Sequence, residues 1–505
     1  MPNTGIKHRS KEEEKRKIDL KIGAEDFGPI SGCKIALKPL TIFIGPNNSG
    51  KSYAAMLVHS VFESCIPTLH PLHREGPLFM RRRFFTERLK VHDILKEFPE
   101  LKKQIKGLKV GEELEIPKQL VEMVTNKIFE EIFEKRLNDE IIRSYTCPLN
   151  ELSRIGKSSF RLKISFDSYN TYLASQKNKL KIEEYPQLDI KIKIKITEST
   201  RFLSEKKKGN EVLITIGRRL WEEEEGKIYL FERVKDICIS KIFENVAMPC
   251  FYLPAARSGI LQGHRALAAS IFKKLPYVGI ERLEIPRFSG VVSDFIASII
   301  NLPENKGPFY KLAQSFEKEL IKGEIVVRTL DEYLYPEIKY NFQNVEIPLH
   351  RASSTVSEFA PIILYLKYVI ERGSILIIEE PEAHLHPENQ RILARYLVKL
   401  IRKGVNVVIT THSEYLLEQL SNFMLLSKLK PQKRVTQYKY DEEDFLIPEE
   451  IATYVFHYNT EDNGYKTSKI EISEEDGISQ EEFVKIHEVL YEETIKLRKD
   501  LCIEE

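Results

Sequence analysis

The order of hydrophobic and polar positions divides the chain into strand-like and helix-like segments. Residues 18–44 have a strand pattern that ends in an apolar run at 40–44, and residues 52–62 have apolar positions at helical spacing. Further along, the apolar run 375–378, a helical pattern around 390–403 and the apolar run 405–410 follow one another. This alternation of strands and helices predicts an α/β fold with a mostly parallel sheet.

Residues 72–247 have a different pattern and interrupt the alternation. Two charged amphipathic helical regions are predicted at 86–106 and 117–145, and isoleucines then alternate with Lys191, Lys193 and Lys195 as in a half-buried strand. We therefore predict four regions. They are the first part of an α/β core (1–71), an inserted helical and β-sheet region (72–247), the second part of the core (248–425) and a small C-terminal α/β extension (426–505).

Composition limits the classes of partner. The 77 basic and 75 acidic residues of the 505 nearly cancel, so no overall charge attracts nucleic acid or membrane. A nucleic-acid contact would need a local patch, for which the candidates are Arg81–Arg83 with the nearby Arg88 and Lys90, and the lysines at 191–195. The six cysteines form no C-x-x-C pair, and no uncharged run is long enough to span a bilayer. We expect a cytoplasmic protein without membrane contact.

A phosphate-binding loop is predicted directly after the apolar run 40–44. It fits the pattern G-x-x-x-x-G-K-[ST] and consists of Gly45, Pro46, Asn47, Asn48, Ser49, Gly50, Lys51 and Ser52. In such a loop, backbone N–H groups and the following helix N-terminus surround the phosphates. Lys51 would contact the β- and γ-phosphates, and the Ser52 hydroxyl would ligate Mg²⁺. The predicted cofactors are therefore ATP and Mg²⁺.

Two adjacent acids end the apolar run 375–378. A buried strand that ends in two carboxylates suggests function, because an unpaired buried charge is costly. Glu379 is predicted to hold the Mg²⁺ shell and Glu380 to act as the general base that polarises the attacking water. The alternative is a solvated cluster of charges. His384 and His386 form an H-x-H pair, for which a loop role fits better than a metal site.

A histidine follows the next apolar run. His412 comes directly after the strand-like segment 407–411, about 25 residues beyond the acids, where its side chain would donate to the γ-phosphate or to the attacking water. A lone histidine in this position is more often structural. Its place after the two preceding motifs favours a catalytic role.

Five segments together resemble one family. GPNNSGKS, YLPAARSG, ASSTVSEFAP, IIEEPEAHLHP and VITTHS, in this order, resemble the ABC-class ATPases of the SMC/RecF/OLD-like group. Within that group they are most similar to the stand-alone ATPase subunits of genome-defence operons, such as Septu-type systems. The resemblance covers about 17–70 and 248–425. It implies a homodimer that holds each ATP between the phosphate loop of one subunit and the signature segment of the other.

The signature segment and a preceding arginine each allow two interpretations. Ser353 and Ser354 lie where the resemblance places the signature, and Thr355 takes the place of its usual glycine. Their hydroxyls would contact the partner's ATP or simply cap a helix. Arg257 would sense phosphate or form a salt bridge. No Q-loop glutamine is evident.

The resemblance implies an ATP-hydrolysing dimeric switch in DNA maintenance or antiviral defence. Because the residues after Asn422 are too few for a Toprim domain and their acids have the pattern of solvated loops, nuclease activity within the chain is not expected. We expect a separately encoded effector, bound through 72–247 or the C-terminal tail. Two alternatives stay open: a nucleotide sensor or scaffold that does not hydrolyse ATP, and the nucleotide-binding subunit of a transporter.

Overall fold

The computed structural model describes residues 18–65, 98–167, 169–198, 203–222, 224–243, 245–263, 287–329, 336–473, 475 and 477–501. The basic residues Arg81–Arg83, Arg88 and Lys90, named above as a nucleic-acid patch, lie outside the described residues. So does the beginning of the helix predicted at 86–106. Among the described residues, no helix combines the length and hydropathy needed to cross a bilayer.

The strands in chain order are β1 (Leu20–Phe27), β2 (Ile30–Ala36), β3 (Leu40–Ile44), β4 (Glu113–Glu115), β5 (Arg161–Phe166), β6 (Tyr169–Gln176), β7 (Lys179–Glu184), β8 (Lys191–Thr197), β9 (Leu203–Lys208), β10 (Glu211–Gly217), β11 (Cys250–Leu253), β12 (Glu324–Thr329), β13 (Pro336–Phe342), β14 (Val345–Pro348), β15 (Ile375–Glu379), β16 (Asn406–Thr411), β17 (Ile451–Asn459), β18 (Gly464–Ile470), β19 (Ile472–Ser473) and β20 (Gly477–Ile478).

The α-helices are α1 (Lys51–Cys65), α2 (Pro99–Gly107), α3 (Lys118–Ile128), α4 (Lys135–Tyr145), α5 (Arg218–Glu222), α6 (Glu224–Phe243), α7 (Gly290–Ile300), α8 (Tyr310–Leu320), α9 (Ser354–Leu364), α10 (Pro387–Arg402), α11 (Glu414–Ser427), α12 (Pro431–Tyr438) and α13 (Glu481–Asp500). Single π-helical turns follow α3 at Phe129–Glu134 and α9 at Tyr365–Val369, and short 3₁₀ turns lie at Leu149–Leu152, Leu349–Arg351 and Pro448–Glu450.

Eleven strands form one mixed sheet, in the order β11-β15-β16-β3-β17-β18-β2-β1-β5-β6-β7. The strands from β11 to β17 are parallel, whereas those from β2 to β7 are antiparallel. The predicted α/β fold is confirmed, but the parallel arrangement is concentrated in the half of the sheet that contains β3, β15 and β16. Those are the strands that precede the predicted motifs.

β17 and β18 form an antiparallel C-terminal hairpin that lies inside the large sheet. The structure therefore differs from the prediction of a separate extension at 426–505. β17 pairs in parallel with β3 from Ile451–Leu40 to Val455–Ile44, and β18 connects the hairpin to β2. The first six residues of β17 are all buried, as a strand covered on both faces requires. The pairing joins segments about 400 residues apart, which a local pattern does not reveal.

The inserted region is also shared between two sheets. β5, β6 and β7 extend the large sheet through β1, while β4, β8, β10 and β9 form a separate four-stranded sheet. The isoleucines of β8 are buried, as predicted from their alternation with lysine. Lys193 pairs with Glu211, and Lys195 Nζ lies 3.0 Å from Glu113 Oε1. These two lysines therefore belong to ion pairs within the protein.

Two hydrophobic cores cover the two faces of the parallel half of the large sheet. Alternate residues of β15 enter different cores, because successive side chains of a strand point to opposite faces. Ile377 belongs to the core that includes α1 and helices of the inserted region, whereas Ile378 belongs to the core that includes α9, α10 and α11. Each fully buried aliphatic side chain of this kind stabilises the fold by about 1.5–3 kcal/mol. The edge of the sheet where β3, β15 and β16 end is thus held firmly from both sides.

Candidate functional site

The predicted phosphate loop connects the end of β3 to the start of α1. Gly45 has a φ of +146°, and a Cβ at this position would lie 2.5 Å from the carbonyl oxygen of Phe456 in β17. Gly50 has a φ of +97°, and its Cβ would lie 2.8 Å from Ile30 Cγ1. Only glycine fits both places, because the backbone conformation and the close neighbours each exclude a side chain.

Lys51, the first residue of α1, turns its side chain back over this loop. Its Nζ donates to the carbonyl oxygens of Gly45 at 2.9 Å and Pro46 at 2.7 Å, and the residue is 6% exposed. Burial lowers the Lys51 pKa to about 8, although Glu380, Glu382 and Glu379 act in the opposite direction. The ammonium group therefore lies between the loop and the acidic strand end, where a phosphate would meet it.

The hydroxyl groups of the loop also fit an anionic ligand. Ser49 Oγ is buried and has no hydrogen-bond partner among the described residues, an arrangement that costs free energy unless a ligand supplies one. Ser52 is exposed at the start of α1. Asn48 has a φ of +61°, which asparagine tolerates better than most residues. Pro46 and Asn47 are exposed at the tip of the loop.

The two adjacent acids occupy different environments. Glu379 ends β15, is 8% exposed and accepts a hydrogen bond at Oε2 from the backbone N–H of Ala255 at 3.0 Å. The Glu380 side chain is 44% exposed, and this residue has a φ of +43°. Its backbone N–H donates to the carbonyl oxygen of Thr410 at 3.0 Å. One carboxylate is therefore fixed at the sheet edge, and the next projects towards solvent.

His412 follows β16 and faces the second acid. Its Nε2 lies 3.8 Å from Glu380 Oε1. Burial is the main cause that lowers the His412 pKa, Lys51 lowers it further, and Glu380 opposes both. The shift favours the neutral imidazole, which has one N–H available to donate.

Glu382, a third acid in the segment after β15, has a structural task that the sequence pattern did not predict. Glu382 Oε1 accepts from the Thr411 hydroxyl at 2.7 Å and from the His412 backbone N–H at 2.8 Å. Burial raises the Glu382 pKa. This side chain joins the loop after β15 to the end of β16, and so fixes the backbone from which His412 projects. Its position two residues after the acidic pair was the available signal.

The donor set fits Mg²⁺ better than a metal held by protein alone. Within the described part of the chain, no group of three or more His, Cys, Asp or Glu side chains is arranged to hold a metal ion. Mg²⁺ in nucleotide sites is usually held by one or two protein oxygens together with phosphates and water, which Ser52 and Glu379 would provide. His386 caps α10, and its Nδ1 accepts from the Glu388 N–H, so the histidine has the predicted loop role.

The predicted signature residues begin α9. Ser353 is the N-cap, and its hydroxyl accepts from the backbone N–H of Val356 at 3.4 Å, so the capping alternative is realised. Ser354 is exposed at the first helical position. Thr355 Oγ1 donates to the carbonyl oxygen of His384 at 3.2 Å, which connects the helix start to the loop after β15.

Arg257 is the one predicted cofactor ligand that the structure corrects. Its side chain is 0% exposed, and its Nε lies 3.2 Å from Glu358 Oε2, so the salt-bridge alternative is realised. Its NH1 donates to the Glu379 carbonyl oxygen at 2.8 Å and its NH2 to the Glu380 carbonyl oxygen at 3.3 Å. The guanidinium group is directed at acceptors of the protein itself rather than at the phosphate loop.

Comparison with known proteins gives one family. The family model described as AAA ATPase domain matches residues 20–417. Among curated proteins no significant match is found. Solved structures similar to this chain include the SmcHead bound to the C-winged helix domain of ScpA, at 9% identity and a TM-score of 0.37, covering 90% of this chain and 98% of that one.

Two further SMC heads show the same level of similarity. The SMC head domain from Thermotoga maritima has 9% identity and a TM-score of 0.32, with 90% of this chain and 99% of that chain covered. The Smc head domain with an extended coiled coil, bound to the C-terminal domain of ScpA derived from Pyrococcus furiosus, has 10% identity and a TM-score of 0.34, with 94% and 99% covered.

Proposed function

This chain belongs to the AAA ATPase domain family, and from that premise we propose that it binds ATP with Mg²⁺ and hydrolyses it at the edge of the sheet formed by β3, β15 and β16. The observation that carries the proposal is the register of these three strands. Ile44 pairs with Thr411, and Thr410 pairs with Glu379. The phosphate loop, the acids and His412 therefore leave the sheet side by side.

Each residue has a distinct task in this proposal. The loop 45–50 and Lys51 bind the phosphates, while Ser52 and Glu379 hold Mg²⁺, which when bound neutralises phosphate charge. Glu380 accepts the proton of the attacking water because its carboxylate is the more exposed of the pair. His412 donates a hydrogen bond to the γ-phosphate or to that water. The neutral state of His412 suits a donor that does not add charge.

We propose further that two copies close over ATP, with the start of α9 in one copy contacting the nucleotide of the other. Support comes from the exposed Ser354 at the N-terminus of an eleven-residue helix, where backbone N–H groups and the helix dipole favour a phosphate. The motif resemblance described above supports the same arrangement. Ser353 then has two tasks, as the helix cap and as a neighbour of the partner's nucleotide.

The cellular role that we propose is a cytoplasmic switch in DNA maintenance or antiviral defence, acting on a separately encoded effector. It is supported by the resemblance of the five motifs alone. A nucleic-acid contact through β8 has little support, because Lys193 and Lys195 are paired with Glu211 and Glu113. We therefore propose that any contact with nucleic acid lies on another part of the chain.

A single-turnover hydrolysis assay tests the central point. The wild-type chain is mixed with a substoichiometric amount of ATP and Mg²⁺, with and without DNA, and phosphate release is followed. Release that Lys51→Ala abolishes supports the ATPase, whereas tight ATP binding without release in any condition would favour the non-hydrolysing sensor. Lys38→Ala is a suitable control, since this residue precedes β3 and lies outside the loop.

A further inference from the structure

We propose that Arg257 is a positioning residue that ties the acid-bearing end of β15 to the first turns of α9. The site for one ATP and the surface offered to the partner's ATP would then move as a single unit. This inference rests on the proposed ATPase and dimer. It assigns to Arg257 a role in coupling that neither a phosphate sensor nor an isolated salt bridge would have.

On one side, the guanidinium group holds the backbone of the two acids. NH1 donates to the Glu379 carbonyl oxygen at 2.8 Å, and NH2 donates to the Glu380 carbonyl oxygen at 3.3 Å. Glu380 has a φ of +43°, a conformation that residues with a Cβ adopt only when their surroundings impose it. The contact from Arg257 is part of what imposes it, and this backbone conformation sets the direction of the Glu380 carboxylate.

On the other side, the same group holds α9. Arg257 Nε donates to the carbonyl oxygen of Glu358 at 3.1 Å and lies 3.2 Å from its Oε2. Glu358 is 3% exposed and also accepts at Oε1 from the hydroxyl of Ser258 at 2.6 Å. The helix is thus bound through both its main chain and a side chain, one turn after the exposed Ser354.

A second contact runs parallel to this one. Thr355 Oγ1 donates to the carbonyl oxygen of His384, and His384 Nε2 lies 3.9 Å from Glu358 Oε1. The loop after β15 and the start of α9 are therefore joined at two places, by Arg257 and by the Thr355–His384 hydrogen bond, while the His384–Glu358 distance is too long for a direct hydrogen bond. Thr355, which departs from the glycine of the usual signature, makes one of them with its hydroxyl.

The planar fork of arginine is what makes the connection possible. Its nitrogen atoms reach acceptors on two separate elements at once, whereas a lysine would keep the charge but reach fewer of them. Arg434 provides an internal comparison. It is 5% exposed and likewise donates to backbone carbonyl oxygens, those of Leu426, Ser427 and Glu442, but these belong to α11 and to the segment after α12 and not to β15, its following loop or α9.

The test compares Arg257→Lys with Arg434→Lys in the full chain. Because small misplacements of a catalytic group cost up to about 100-fold in rate, we expect Arg257→Lys to lower kcat by about 10- to 100-fold. Its equilibrium affinity for ATP should stay within about twofold of wild type. Arg434→Lys should reduce the Tm while the folded fraction keeps its kcat. Equal kcat per folded molecule in the two variants would overturn the proposal.

Hydrogen exchange gives a readout that does not depend on turnover. In the ligand-free Arg257→Lys chain, amides at 378–386 and at 353–360 should both exchange faster, and in Arg434→Lys neither should change. Faster exchange in only one of these segments would refute the tie. If the wild type itself does not hydrolyse ATP, the proposed function fails, and this measurement still decides the coupling.

A second variant covers the case in which Arg257→Lys does not fold. Thr355→Val removes the hydroxyl of the parallel contact on a side chain that is only half-buried. We expect a fall in kcat of about 3- to 10-fold at unchanged ATP affinity, with Thr355→Ser restoring the wild-type rate. A Thr355→Val chain with wild-type kcat and wild-type exchange would count against the coupling.

Discussion

His412 Nε2 lies 3.8 Å from Glu380 Oε1, and the two residues follow neighbouring parallel strands. The gap is too long for a direct hydrogen bond and leaves the carboxylate available as an acceptor. Lys51 begins α1, directly after the loop that follows β3, and β3 is the other neighbour of β16 in the sheet. Its ammonium group is close enough to lower the His412 pKa. An acceptor, a neutral donor and an ammonium group thus come from three adjacent strand ends.

Replacing the proposed base should separate binding from hydrolysis. Glu380→Gln keeps the shape of the side chain but removes the carboxylate, so turnover should fall by about 10²- to 10⁴-fold while ATP still binds. Phosphate release and equilibrium binding are measured on the same preparation. Glu388→Gln, an exposed acid at the start of α10, is the control and should behave as wild type. Wild-type turnover in Glu380→Gln would exclude the assignment.

The preceding acid should respond differently. Glu379→Gln should weaken ATP binding in the presence of Mg²⁺ and leave the weaker Mg²⁺-free binding unchanged, because Glu379 is proposed to act on the metal shell. Titration with a fluorescent ATP analogue, with Mg²⁺ and with EDTA, distinguishes the two conditions. The same loss of affinity in both would point to a structural role through the Ala255 contact instead.

ATP binding should depend on pH through Lys51. Its pKa in the free protein is lowered to about 8, so the ammonium group loses its proton as the pH rises through that value. Bound phosphates favour the charged form and raise the pKa, so binding near pH 8.5 should take up a proton and the affinity should fall as the pH increases. Calorimetry in buffers of different ionisation enthalpy measures the uptake. Binding without proton uptake at pH 8.5 would contradict this prediction.

The first glycine of the loop should tolerate no side chain. A Cβ at Gly45 would lie 2.5 Å from the Phe456 carbonyl oxygen, a backbone atom that cannot rotate away. We expect Gly45→Ala to destabilise the fold by about 1–3 kcal/mol and to abolish ATP binding. Gly107→Ala is the control, because nothing lies within 4 Å of a Cβ there. Denaturant unfolding of the two variants checks the difference, and equal stability would argue against the contact.

The contact in trans is best tested at Ser354. Ser353→Arg would also remove the helix cap, at a cost of about 1 kcal/mol, whereas the exposed Ser354 has no such role. Ser354→Arg and Lys51→Ala chains should each be inactive alone, and together should rebuild one working site per mixed dimer. Phosphate release is measured after mixing, with dimer exchange verified by differently labelled chains. Mixed dimers without activity would argue against two copies sharing each ATP.

The local chemistry was readable from the sequence because each motif is short and continuous. The apolar run 40–44 is β3, and the glycines, Lys51 and the paired acids lie at strand ends where the pattern placed them. The partners of Arg257 were not readable. Glu358, Glu379 and Glu380 are more than 100 positions away, and nothing near Arg257 distinguishes phosphate from carbonyl oxygen as its acceptor. Likewise, burial of β17 is visible in its hydrophobic run, but its neighbour in the sheet is not.

The position of the C-terminal hairpin also sets an order of events during synthesis. β17 supplies the Phe456 carbonyl against which Gly45 packs, yet it is translated about 400 residues after the loop. At about 5–20 residues per second, the loop and β3 wait roughly 20–80 seconds for this neighbour. Until then β3 has an open edge next to the phosphate loop, a surface prone to pairing with other chains. We therefore expect a ribosome-bound chain halted before residue 451 to fail to retain ATP. Nucleotide binding would then report that β17 has paired with β3.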